Sequence, residues 1–290
     1  MKYLHRLYIF LTLSVLSILV AISPTANAGP QVQHTPDFFM LASMGKIAGV
    51  TVFRKFGVNN EVDTSTAPET VCSYATNRIP QFFSASTVTI VSSSGSDSTV
   101  VSATGTKSVY VEGVDGNGIL TSETISVTGV TPKTLVNQYM HINRAYGTLT
   151  GSGRRNVGDI TLKYGDAATD IAQIPAGQGQ SQCFSVYVPA GHVWLVDNVS
   201  ASQNKKTSGT ATLHFEIMVD GSNTWRNIFN FGLDATGTSL TQVGVGHSRY
   251  FAIPGKSRVI ANVDSVSANS NQITASAAGY MFDLSKFNPN

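Results

Sequence analysis

Charge is what this chain has least of. Lys, Arg, Asp and Glu make up 12% of its 290 residues, about half the share of an ordinary soluble domain. Without clustered Lys and Arg there is no electrostatic footprint for duplex nucleic acid, so nucleic acid is not expected as a partner. Cysteine is nearly missing too. Cys72 and Cys183 are the only two, with no C-x-x-C and no paired histidine, which leaves no zinc site. The six histidines are scattered, none within four residues of another. No G-x-S-x-G, H-E-x-x-H, phosphate-binding loop or G-x-G-x-x-G after a strand occurs. No catalytic residue, metal ligand or cofactor contact is expected, and the chain reads as a non-enzyme.

The one long apolar run is at the start. Lys2, His5 and Arg6 precede Leu7 to Ile22, Ser23-Pro24 breaks the run, and Ala26-Asn27-Ala28 has the small-x-small form of a cleavage site. This is the layout of a secretory signal, and residues 1–28 are read as a signal peptide or an N-terminal anchor. The leader holds two of the 19 Lys and Arg and none of the 17 Asp and Glu. The rest is therefore formally neutral, and no membrane contact is expected once the leader is cut.

What is present is β chemistry. After an arm over residues 29–45, short Val/Ile/Thr/Ser runs alternate with Gly and Asn turns to the end of the chain. Lys107 to Val114 and Ile119 to Val127 read as a hairpin around Asp115-Gly116-Asn117-Gly118, where Asn-Gly favours a type I′ turn. The composition shifts over Gly165 to Gln180, which reads as an interdomain connection. The predicted architecture is all-β, with two consecutive antiparallel β-sandwich domains, jelly-roll or Ig-like, over residues 46–165 and 166–290.

Few residues stand out for function. In an oxidising compartment Cys72 and Cys183 are a candidate disulfide; the alternative is two buried thiols, since they fall in different predicted halves. Glu112 and Glu123 would face each other across a two-residue turn, as a cation site or glycosidase pair requires. A four-residue loop instead sets Glu112 opposite Thr121, and that register is expected. His192 and His214 are read as structural or surface residues. A Ser-His-Asp triad assembled in space needs no local motif and stays open. Tyr187, Trp194, Phe215, Phe229, Phe231, Tyr250 and Phe251 are expected in the core. Trp225, beside Arg226 at the end of a turn, is the best exposed ring for a ligand such as a sugar.

Several stretches recur together, in order. They are Gly45-Lys46-Ile47-Ala48-Gly49-Val50-Thr51-Val52-Phe53-Arg54-Lys55-Phe56-Gly57-Val58-Asn59, Thr66 to Val71, Ser86 to Ser94, Val111 to Gly118, His141-Ile142-Asn143-Arg144-Ala145-Tyr146, Ile174 to Gln180 and Val188 to Gly191. In these the chain resembles a family of structural proteins of tailed bacteriophages. The resemblance implies a non-enzymatic, all-β virion component that decorates the head or belongs to a neck or fibre. Its implied partners are other virion proteins and copies of itself, a trimer among the candidate oligomers. A secretory leader is unusual in a virion protein, so the alternative is a secreted or cell-surface module that binds a cell-surface glycan or acts in adhesion.

Overall fold

The strands follow from alternation. Within Val50–Val62 (β1) the inward positions from Phe53 to Asn59 are Phe53, Lys55, Gly57 and Asn59, the period of a strand with one covered face. The computed structural model describes residues 37–165, 169–204, 209–235 and 241–286, without the side chains of 235 and 241–250. The predicted leader and His34 lie outside those residues, as do the side chains of His247 and Tyr250. Among the described residues no helix is long and apolar enough to cross a membrane. The predicted arm contains one short helix, Phe38–Ser43 (α1).

Beyond it the chain is all-β. The strands are β1, Glu69–Thr70 (β2), Val88–Ser92 (β3), Thr106–Val114 (β4), Leu120–Ser126 (β5), Lys133–Thr134 (β6), His141–Thr150 (β7), Ile160–Tyr164 (β8), Thr169–Ile174 (β9), Ser185–Tyr187 (β10), His192–Asn204 (β11), Gly209–Met218 (β12), Arg226–Ala235 (β13), Thr241–Pro254 (β14), Arg258–Val266 (β15) and Asn271–Asp283 (β16). They make small antiparallel sheets: β1-β16-β11-β14, β10-β15-β12-β13 with β2 beside β15, β6-β3-β8-β9, and β5-β4-β7.

Two apolar cores sort the sheets into pairs. One core draws Phe53, Trp194, Val196, Ile273 and Met281 from the first sheet and Phe184, Leu213, Phe215, Phe231 and Val259 from or beside the second. The other draws Val88, Ile90, Ile160, Leu162 and Ile174 from the third and Val109, Val111, Ile125, Ile142 and Ala145 from the fourth.

The strands do not sort into consecutive domains divided at 165/166. β1 pairs with β16 and β2 with β15, so residues before the predicted 165/166 boundary close the C-terminal core. β9, within the stretch read as a connection, pairs with β8 and completes the other core. Gly165 and Gly177 punctuate that stretch, but Ile171, Ala172 and Ile174 between them pack on the core.

Hydroxyls and amides stand where ions would otherwise be. Ser200 Oγ lies 2.6 Å from Ser276 Oγ across β11 and β16, and Ser108 Oγ 2.8 Å from Thr148 Oγ1 across β4 and β7. One buried carboxylate ties the loops at one end of the second core. Asp97 accepts from Thr106 N (2.7 Å), Val157 N (2.9 Å), Gly158 N (2.8 Å) and Ser92 Oγ (2.7 Å), and its carbonyl accepts from Gly129 N (2.7 Å).

Candidate functional site at the seam between the sheet pairs

Where the two sheet pairs meet, β1, β7 and β10 bring polar side chains inside. Asn143 is buried, donating from Nδ2 to the Tyr187 carbonyl (2.9 Å) and accepting on Oδ1 from Tyr187 N (2.8 Å). The register between β4 and β7 slips at Asn143, and this bulge aims its side chain at β10 rather than along its own sheet. Ser181 extends the seam, its N–H donating to the Ala145 carbonyl (2.8 Å) and its Oγ accepting from Ala145 N (3.1 Å).

Cations dominate the seam. Lys55 is buried and its ammonium donates to the Asn143 carbonyl. Burial, with Arg144 beside it, pulls the Lys55 amine down to about 7, while Glu112 pulls the other way. Arg144 pairs with Glu112 (Nε to Oε1, 2.7 Å) and stacks 5.2 Å from the Phe53 ring. His141 lies 3.4 Å from Ser185 Oγ. Burial, then Arg258 and Lys55, pull its imidazole down to about 3, holding it neutral. Among the described residues no carboxylate bonds this Ser–His pair, so it lacks the third member of a triad.

Recesses open onto the seam. A cleft of about 670 Å³ runs beside β1 and the β4–β5 turn, lined by Val52, Phe53, Glu112, Leu120, Arg144 and His192 among others. A second, of about 360 Å³, lies at the start of β15, over Arg258.

The sequence candidates fall as follows. Glu112 opposes Ser122, not Thr121, because Ile119 belongs to the turn: its carbonyl accepts from Asp115 N (3.0 Å) and its N–H donates to Asp115 Oδ1 (2.9 Å). Only Gly118 in that turn has positive φ, 76°, so it is not type I′, which needs two such residues. Glu123 opposes Val111, which places it on the face opposite Glu112. It caps a loop instead, accepting from Val136 N (2.9 Å), Asn137 N (2.8 Å) and Tyr139 Oη (3.2 Å). The two carboxylates are not a pair.

Cys72 and Cys183 are joined in a disulfide spanning 111 residues. They meet because β2 belongs with β15, carrying Cys72 into the C-terminal core despite its early place in the chain. Trp225 is half-buried against Cys72, Ile79, Cys183 and Ile260, with the Arg78 guanidinium 4.9 Å from its ring; Arg78 also pairs with buried Glu216. Arg226 is exposed at the start of β13. His192 contacts the Ala190 carbonyl (3.0 Å) and His214 the Asn227 amide (3.2 Å). Trp194, Phe215, Phe231 and Tyr187 are buried, and Phe229 and Phe251 pack against the core.

Lys55 and Arg258 escape sequence reasoning that searches for motifs. The signal for Lys55 is its phase: in Phe53-Arg54-Lys55-Phe56-Gly57, the lysine shares the inward register of Phe53 and Gly57.

The fold therefore defines an all-β protein of small antiparallel sheets with a cationic seam. No protein-family model matches the chain, and no curated protein matches it. The solved structures similar to it include that of infectious bursal disease virus, Gx strain, at 12% identity over 80% of this chain and 76% of that one, TM-score 0.18. Another is a mutant VP2 protein of the same virus in derived T=1 particles, at 11% identity over 84% and 80%, TM-score 0.13. Superpositions this loose carry no argument about fold or function.

Proposed function

We propose that this chain is a non-enzymatic structural protein of a virion, in a head decoration, neck or fibre, acting through contacts with other virion proteins and with copies of itself. The observation that carries the reading is an apolar end left in water. The loops tied through Asp97 bear Val100, Val101, Val130 and Val157, and Leu149 closes β7 beside them; all are exposed, Val101 at 94%. Exposed apolar groups gathered on neighbouring loops mark contact surfaces. The in-order resemblance from Gly45 to Gly191 supports the same reading, and a nearly neutral surface lets copies pack without self-repulsion.

Mass spectrometry of purified particles, reporting both presence and the mature N-terminus, tests it. The expected result is the chain in the particle, a defined oligomer by light scattering, and loss of both in Val101→Asp with an unchanged melting temperature. A monomer absent from particles refutes it.

A further inference from the structure

The smaller recess contains a cation with no counter-ion. Arg258 is 4% exposed. Its guanidinium donates to Gln81 Oε1 (3.2 Å) and to the Phe82 carbonyl. Among the described residues no carboxylate lies within ion-pair distance of it. A guanidinium has five N–H donors in a planar fork, and two neutral acceptors leave both the fork and the charge unfilled. Burying a charge without a partner is costly, and such groups recur where a ligand supplies the missing partner.

The surroundings indicate what kind of anion. Arg258 lies between two rings, 4.6 Å from Phe83 and 5.3 Å from Tyr187. Phe83 is 64% exposed, so one aromatic face is open to the recess. Lys256 stands on the rim, its backbone at φ 61° and its N–H held by the Val188 carbonyl (2.7 Å). The carboxylate in the lining is Asp220, 3.7 Å from Lys256 Nζ on an exposed rim, a pair worth little in water. Asn117 adds an amide from the β4–β5 turn. A buried fork, a second cation, an open ring and an amide suit a ligand with one carboxylate, an apolar face and hydroxyls.

We propose that this recess binds a saccharide carrying a carboxylate, a uronic or sialic acid residue, with the carboxylate on Arg258 and Lys256 and the ring of the sugar on Phe83. A bidentate guanidinium–carboxylate contact orients the sugar. Stacking on Phe83 distinguishes it from a bare anion. The proposal stands apart from the virion reading, because it is tested on purified protein.

The test is saturation-transfer NMR and titration calorimetry on the full chain. The probes are glucuronic acid, N-acetylneuraminic acid, neutral glucose and inorganic phosphate. At least one acidic sugar is expected to bind and the neutral one not. Lys256→Asn keeps a residue that tolerates positive φ, and Phe83→Ala alters an exposed side chain; each is expected to weaken binding by about tenfold, roughly 1.4 kcal/mol, without moving the melting temperature. Arg258 is too buried to serve as the sole test. No binding of either acidic sugar, binding unchanged in both variants, or phosphate bound as tightly as the sugar would each overturn the proposal.

Discussion

Replacing Lys55 with methionine should make the protein more stable in neutral and mildly acidic solution, and the gain should fade as the pH rises. The folded-state amine titrates near 7 where an exposed lysine titrates at 10.5, chiefly because the seam strips its water. The unfolded chain thus holds this proton up to about pH 10.5 while the folded chain releases it near 7. Below 7 both states are protonated and the full cost of the buried charge is present. Between 7 and 10.5 the unfolded state binds more protons, so stability rises with pH. At 1.36 kcal/mol per pH unit, the span corresponds to about 4–5 kcal/mol.

The groups facing Lys55 are Arg144 and the Asn143 carbonyl from β7, Glu112 from β4, and His141. His141 stays neutral across the window, since it titrates near 3. A methionine side chain in place of Lys55 keeps the volume but leaves the Asn143 carbonyl without its donor, an offset of about 1 kcal/mol that does not change with pH. The assay is urea unfolding of both proteins at pH 6, 8 and 10. The difference should favour K55M by a few kcal/mol at pH 6 and vanish or reverse by pH 10. Parallel pH profiles for the two proteins would refute the argument.

Other consequences can be checked separately. Asp97→Ala strands three backbone donors, two of them buried, and the Ser92 hydroxyl. It should cost at least about 3 kcal/mol and open the 93–105 loop to limited proteolysis; an unchanged cleavage pattern would count against it. A Cβ at Gly57 would run into the Val71 carbonyl and Phe184 N, so Gly57→Ala should lower stability by about 3 kcal/mol or more, read as a melting-point drop. The protein, denatured without reductant, should take up no iodoacetamide at Cys72 or Cys183. Breaking a bridge that closes 111 residues should cost about 2–5 kcal/mol; two alkylated thiols before reduction would contradict the pairing.

How much of this was legible beforehand depends on whether the governing contact was local. The all-β class and the strand at Thr87 to Val91 follow from alternation alone, because each strand's pattern records which face is covered. The hairpin at Asp115 was legible as an element, yet its register shifted by one residue. Asp115 Oδ1 captures the N–H groups of Asn117 and Ile119 and pulls Ile119 into the turn. That is a side-chain choice which an Asn-Gly signal does not encode. β9 was hidden because Gly and Pro at its ends look like a linker, while the pattern of Ile171 to Ile174 is too short to outweigh them.

The division into domains was the least legible, and for a different reason. β1 belongs with β16, more than two hundred residues away, and no local pattern carries a pairing at that distance. The seam was hidden for the same reason, since it exists only because β1 crosses back to lie against β7 and β10. That crossing places Lys55, a residue of ordinary sequence surroundings, on the Asn143 carbonyl. It also brings β2 to β15, and with it Cys72 to Cys183. The disulfide, the buried amine and the cleft along β1 are therefore consequences of one long-range pairing. A variant that frees β1 from β16 should perturb all three together, whereas one confined to the Asp97 loops should leave them intact.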